Sequence, residues 1–166
     1  MPYRNKTYVA FDADSDIRYY WLMCAWKQSD HTTFSFYDAH DLKQARDTSL
    51  ESTIKRSLRD RLTSSRVFVL LVGEKTRYLY KFVRWEIEQA LQLDLPIVVV
   101  NLNGKRDMDP ERCPPILRDH LCIHVSFNAA ILEHALMNWT VYYYTAKRDA
   151  KTGPYYYLTN VYESLG

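Results

Sequence analysis

Glycine is scarce in this chain of 166 residues. Its four glycines, Gly73, Gly104, Gly153 and Gly166, stand too far apart to write GxGxxG, GxxxxGKS or GxxxxGKT. That argues against a glycine-fingerprint dehydrogenase and against a P-loop NTPase. Cysteine is scarce too: Cys24, Cys113 and Cys122 are scattered and odd in number, which suits a reducing compartment better than a disulfide framework. No CxxC pair or His-rich spacing suggests zinc, so no metal is expected. No segment is long and apolar enough to span a membrane. The opening residues, MPYRNKTYVAFD, lack the apolar run of a secretory leader, so the protein is expected to be soluble and cytoplasmic. With 22 basic and 20 acidic residues the net charge is +2, and nothing demands a nucleic-acid partner. What the chain has in excess is tyrosine, 14 residues, many near the C-terminus.

The length suits one domain with room for a sizeable core. Lys6 to Asp12 reads as a strand, and Asp16 to Gln28 as a helix with Ile17, Tyr20, Trp21, Cys24 and Ala25 inward. Thr33 to Tyr37 is a second strand, followed by the polar loop Asp38 to Asp47. Thr48 and Glu51 have capping-box spacing and open a helix with Leu50, Ile54, Leu58 and Leu62 inward. Its basic residues, Lys55, Arg56, Arg59 and Arg61, read mostly as a solvated face. Arg66 to Val72 is a buried strand, VFVLLV, without polar interruption, as in a central parallel strand covered on both faces, and Pro96 to Leu102 is another buried strand. Asn103 to Pro115 is a long loop, Ile116 to His120 a short helix, Cys122 to Phe127 a weaker strand, and Asn128 to about Tyr144 a last helix. Strands alternate with helices five times, which predicts an α/β fold with a five-stranded, mostly parallel sheet between helical layers. The simplest strand order is 2-1-3-4-5, with a crevice at the carboxyl ends of strands one and three. Asp12 to Asp16 and Gly73 to Thr76 would lie there. Residues 1–144 form the expected domain. The Tyr-rich remainder, 145–166, is an extension packed on or beside it: an added strand, a packed arm or a contact for another subunit.

Between the third and fourth strands, Arg77 to Leu93 reads as an amphipathic helix. Leu79, Phe82, Val83, Ile87, Ala90 and Leu91 share one face. Glu86 falls near the middle of that face, where a carboxylate is expensive unless something requires it. It is either a core glutamate paired with an arginine, a glutamate that a small rotation brings to water, or a functional group. A phospho-receiver domain has the same architecture, and Asp12 and Asp14 imitate its first acidic pair. But Gly73-Glu74 replaces the aspartate expected after strand three, and no lysine follows strand five. The five histidines sit at unrelated positions and form no Ser-His-Asp arrangement.

Several motifs occur in order and with natural spacing: FDADSD after strand one, FSFYDAHDL after strand two, SLESTIKRSLRDRLTSSRVFVLLVGEKT, and FVRWEIEQAL before LPIVVVNL. Over about residues 6 to 127 they resemble the TIR-like domain of bacterial Thoeris antiphage defence proteins. The resemblance implies a flavodoxin-like, three-layer fold. It implies an enzyme that cleaves NAD at the nicotinamide–ribose bond, releasing nicotinamide and a cyclic or otherwise modified ADP-ribose that activates a partner effector. NAD is then the substrate, with no separate cofactor. The family's catalytic glutamate corresponds to Glu86, the residue that periodicity also singles out. The family often has Trp four residues earlier, where this chain has Phe82; that ring either stacks on the substrate or belongs to the core. Phe11 and Asp12 match the ligand-facing loop. Asp38 and the loop to Asp47 match the segment that covers the site or meets a neighbouring subunit, so a homo-oligomer, formed at rest or on activation, is expected.

One carboxylate suffices for such a reaction. Nicotinamide leaves as a neutral molecule, so no general acid is required, and the transition state resembles an oxocarbenium ion. A fixed carboxylate beside the ribose stabilises that charge. The alternative is a non-catalytic TIR-like module that self-associates and recruits other domains. An inward Glu86 favours the enzyme. The sequence leaves open the product's linkage, the phage trigger, the effector and the assembly state.

Overall fold

The computed structural model describes residues 5–29, 37–38 and 51–166. Among them runs a six-stranded, all-parallel sheet of order β2-β1-β3-β4-β5-β6. Its strands are β1 (Lys6–Ala10), β2 (Tyr37–Asp38), β3 (Val67–Val72), β4 (Ile97–Asn101), β5 (Cys122–Ser126) and β6 (Pro154–Tyr156). The helices are α1 (Ile17–Gln28), α2 (Glu51–Thr63), α3 (Val83–Gln92), α4 (Ala129–Arg148) and α5 (Thr159–Ser164). The order 2-1-3-4-5 expected from alternation is present, and β6 extends it by one strand beyond β5.

The alternation of side chains explains why the central strands carry no polar break. On β3, Val67, Val69 and Leu71 face the layer that holds α1 and α4, while Phe68, Leu70 and Val72 face α2 and α3. Both faces are covered, so every position of VFVLLV is buried. Each such side chain contributes about 1.5–3 kcal/mol, which makes β3 and β4 the centre of the fold.

Three local expectations are corrected. Helix α1 turns a different face inward: Tyr20 and Met23 are buried, whereas Trp21 is 62% exposed and Ala25 is also exposed. Its residues are apolar on all sides from Tyr19 to Trp26, so periodicity has no polar stripe by which to choose a face. Asp16 ends the approach to α1 without a side-chain capping bond. Second, α3 begins at Val83, not near Arg77. Thr76–Tyr78 forms a separate 3-10 turn, anchored where Gly73 N donates to Thr76 Oγ1 at 2.9 Å. Leu79 then leaves helical geometry at φ −90°, ψ 81°. Third, α4 continues past Tyr144 to Arg148. Asn128 caps its start by accepting from Ala130 N at 2.9 Å and Ile131 N at 3.2 Å, and Lys147 and Arg148 suit the negative end of its dipole.

The Tyr-rich tail supplies a strand. Gly153 turns the chain at φ 86°, its N–H donating to Asp119 O at 3.1 Å, and Pro154 starts the edge strand β6, where its missing N–H costs least. The Trp139 ring of α4 lies 5.3 Å from Tyr155 of β6, and Tyr162 of α5 accepts a bond from Ser126 N at 3.2 Å. Of the second strand, only Tyr37–Asp38 lies among the described residues; Thr33 to Phe36, the loop 39–47, Thr48 and Leu50 lie outside them.

Candidate active site

A cleft of about 580 Å³ opens between the end of β1, the first half of α2 and the start of α3. Its position follows from the late start of α3. Because Leu79 to Phe82 is not helical, the space beside the end of β1 stays open. Phe11 and Asp12 form one wall, Ile54 and Leu58 of α2 a second, and Tyr80 and Phe82 a third. Glu86 reaches the cleft from the first turn of α3.

Glu86 is only 3% exposed. Burying a charged carboxylate is costly unless hydrogen bonds compensate. The Tyr8 hydroxyl donates to Glu86 Oε2 from the middle of β1. The positive end of the α3 dipole adds to this, since a carboxylate in the first helical turn is favourably placed. Tyr8 is itself fully buried and stacks on Phe68, with ring centroids 5.7 Å apart and planes 11° apart. Its phenol is therefore held by sheet packing, and it holds Glu86 in turn. Of the three sequence alternatives for Glu86, rotation to water does not occur. Among the described residues, the Tyr8 hydroxyl is a partner of Glu86 in the fold.

The other expected residues divide. Phe11 lines the cleft, 6% exposed, and is braced by Tyr20 with ring centroids 5.0 Å apart. Asp12 also lines it, but its Oδ1 accepts from Asp14 N at 3.1 Å and Ser15 N at 3.4 Å, so it builds the turn as well. Phe82 is half-buried on the cleft wall just before α3. For Asp38, the backbone pairs with Thr7 at the β1–β2 edge; its side chain lies outside the described residues.

The crevice is displaced from the position expected. Asp12 and Asp14 line it, but Gly73 to Thr76 do not; the segment from Tyr78 onward takes their place. Asp16 turns the other way, toward Gly73, where an added Cβ would lie 2.2 Å from Asp16 Oδ2. Burial, and then the neighbouring Asp12, push the Asp16 carboxyl above its usual range. Gly73 is thus required by close approach. Among the described residues no cluster of three or more His, Cys, Asp or Glu is placed to hold a metal ion.

Tyr8 escaped the sequence reading. Its signal was a polar-tipped ring in an apolar strand, on the face that also takes Phe68. Lys55, expected in solvent, instead pairs with Glu51 at 2.9 Å and lies over the rings of Trp85 and Phe82. Lys81 also points its ammonium at the Phe82 ring, 5.4 Å from the centroid.

No helix among the described residues is long and apolar enough to cross a membrane. No curated protein matches the chain. The family model for the Thoeris protein ThsB, TIR-like domain, matches residues 8–107, more than half of the chain and the whole stretch from Tyr8 through Glu86 to the loop after β4. With that match and the sheet order 2-1-3-4-5 beneath it, the chain belongs to the TIR-like domain family of the Thoeris protein ThsB.

Proposed function

We propose that this TIR-like module of Thoeris antiphage defence is an NAD-cleaving enzyme, an NAD glycohydrolase or ADP-ribosyl cyclase, with Glu86 as its catalytic carboxylate. The observation that carries the reading is a nearly buried carboxylate, fixed by a buried phenol, at a cleft large enough for a nucleotide. Substrate pockets commonly reach this size. In the reaction, the bond between ribose C1′ and the pyridinium nitrogen breaks, and its electron pair neutralises the departing nicotinamide. The ribose is left with oxocarbenium character. Glu86 faces that developing charge, and the apolar walls from Phe11, Ile54, Leu58 and Val83 strengthen the attraction by excluding water. Tyr8 keeps the carboxylate aimed. Phe11 and Asp12 bound the ribose end, and Asp38 belongs to the segment that contacts substrate or a second copy of the chain. Water, or a nucleophile within the substrate, then captures the cation. The ADP-ribose product is the signal to a partner effector, and copies of the chain assemble at rest or on activation.

The test is incubation of the purified protein with NAD at high protein concentration, beside Glu86→Gln, with products separated by mass spectrometry. Nicotinamide release should fall by about 10²–10³-fold in the variant, the usual loss when an electrostatic stabiliser of the transition state is removed. Equal release from both proteins would sink the assignment. No release and no NAD binding by either protein would favour the self-association and scaffold role, whereas binding without turnover would point to a missing trigger.

A further inference from the structure

The cleft is bordered by charges of both signs. The acid side chains Asp12, Asp14 and Glu86 line it. On the wall that Phe82 forms, two ammonium groups share its ring: Lys81 Nζ lies 5.4 Å and Lys55 Nζ 6.0 Å from its centroid. Glu51 lies against both, 2.9 Å from Lys55 and 4.0 Å from Lys81. Among the described residues, that wall carries two cations and one anion. Lys81, Glu51 and Phe82 line the cleft, and Lys81 is 65% exposed, so its ammonium can reach a ligand without moving the backbone. The same rim carries Tyr80, 67% exposed.

This arrangement decides what Phe82 can hold. A pyridinium ring is cationic, and the two ammonium groups repel it from the face where a cation would otherwise be attracted. A phosphate at the same place is attracted by both. We infer that Lys55 and Lys81 form a pyrophosphate-binding wall, so that a pyridinium dinucleotide enters in one orientation. Its cationic ring lies toward Asp12, Asp14 and Glu86, its pyrophosphate against Lys55 and Lys81, and its purine over the exposed Tyr80 ring. Phe82 serves by holding the two ammonium groups, and does not stack on nicotinamide. Glu51 keeps the lysines apart and correctly directed until phosphate replaces it. A ligand without phosphates gains nothing from this wall.

The inference rests on the NAD-cleaving reading, and its test separates the two. Nicotinamide release is measured at low salt for the wild type, Lys55→Gln, Lys81→Gln, the double variant and Lys81→Arg. Each lysine-to-glutamine change should raise the KM for NAD about five- to tenfold, with much less change in kcat, because the contacts are charge-assisted but near the rim. Lys81→Arg should restore most of the KM. Inhibition by ADP-ribose should weaken by the same factor as NAD. The phosphate-free nicotinamide riboside should bind all five proteins alike. An unchanged KM in the double variant, or equal weakening of nicotinamide riboside, would overturn the lysine wall while leaving the Glu86 assignment standing. If the wild type releases no nicotinamide, calorimetric titration with ADP-ribose decides. Binding that weakens in the lysine variants supports the wall although cleavage fails, and no binding by the wild type overturns the wall as well.

Discussion

The two faces of the sheet are built from the same strands and yet end differently. On the α1/α4 face, α4 runs for 20 residues and closes the layer with aromatic rings. Trp139 is 2% exposed and lies within 5.3 to 6.3 Å of Tyr155, Tyr142 and Tyr143. On the α2/α3 face, α3 has only 10 residues, and the chain before it stays irregular from Leu79 to Phe82. The cleft is the space that the missing helical turns would have filled. Two buried polar pairs lie on this face: Tyr8 with Glu86, and His124 with Cys122. One face is closed by a long helix, and the cleft opens on the other, where a shorter helix begins late.

This division can be tested by crossing two substitutions. Trp139→Ala should cost about 3–5 kcal/mol of stability, the usual range for deleting a buried tryptophan, and should leave the kcat of the remaining folded protein close to wild type. Glu86→Gln should do the reverse, keeping the denaturation midpoint within about 1 kcal/mol while losing turnover. Chemical denaturation and nicotinamide release, run on both, would break the comparison if either variant moved both readouts together.

A second prediction uses pH. His124 is fully buried on β5, with Nε2 3.4 Å from Cys122 Sγ. Burial holds its pKa down to about 4, from 6.5, with Asp107 pulling it partly back. The unfolded chain therefore takes a proton on this ring before the folded one does. Its contribution is intact above pH 6.5 and is lost as the pH falls from 6.5 to about 4, to a total of about 3 kcal/mol. Denaturation midpoints measured across that window should fall more steeply for the wild type than for His124→Leu. The carboxylates titrate in both proteins, so the difference between the curves isolates the histidine. Parallel curves would mean that the ring ionises in place.

The parts of the molecule legible in the sequence were those with one dominant physical cause. VFVLLV carries no polar residue, as suits a strand covered on both faces, and PIVVVNL is interrupted only by Asn101 near its end. Glu86 was visible because a carboxylate on an apolar stripe contradicts its surroundings. Where two causes compete, sequence reading failed. In α1 eight consecutive apolar residues leave no preferred face, so Trp21 was placed inside and is outside. At the start of α3, Leu79 and Phe82 fit helical spacing, but the 3-10 turn that follows the Gly73–Thr76 bond takes the chain out of helical geometry first. Lys55 looked like solvent-facing charge because its partners, Phe82 and Trp85, are 27 and 30 positions away. The Tyr8–Glu86 bond spans 78 positions, and no local pattern can announce it.

The smallest expected effect tests whether that long-range bond matters to the reaction. Tyr8→Phe keeps the ring and its stacking on Phe68 while removing one donor from Glu86. A buried hydrogen bond to a charged group contributes about 1.5–3 kcal/mol, and the loss is reduced where the remaining polar groups readjust. Stability should drop by about 1–2 kcal/mol. If the phenol aims the carboxylate, kcat should fall about tenfold with KM nearly constant, because the bond acts on the transition state and not on binding. A phenol that only fills the core would lower stability and leave kcat alone. The double-mutant cycle with Glu86→Gln, read by denaturation, supplies the independent arm. Coupling of about 1 kcal/mol is expected for residues joined by one hydrogen bond. Additive losses would show that Tyr8 and Glu86 are neighbours without a shared role, and would return the phenol to the list of groups that merely pack the sheet.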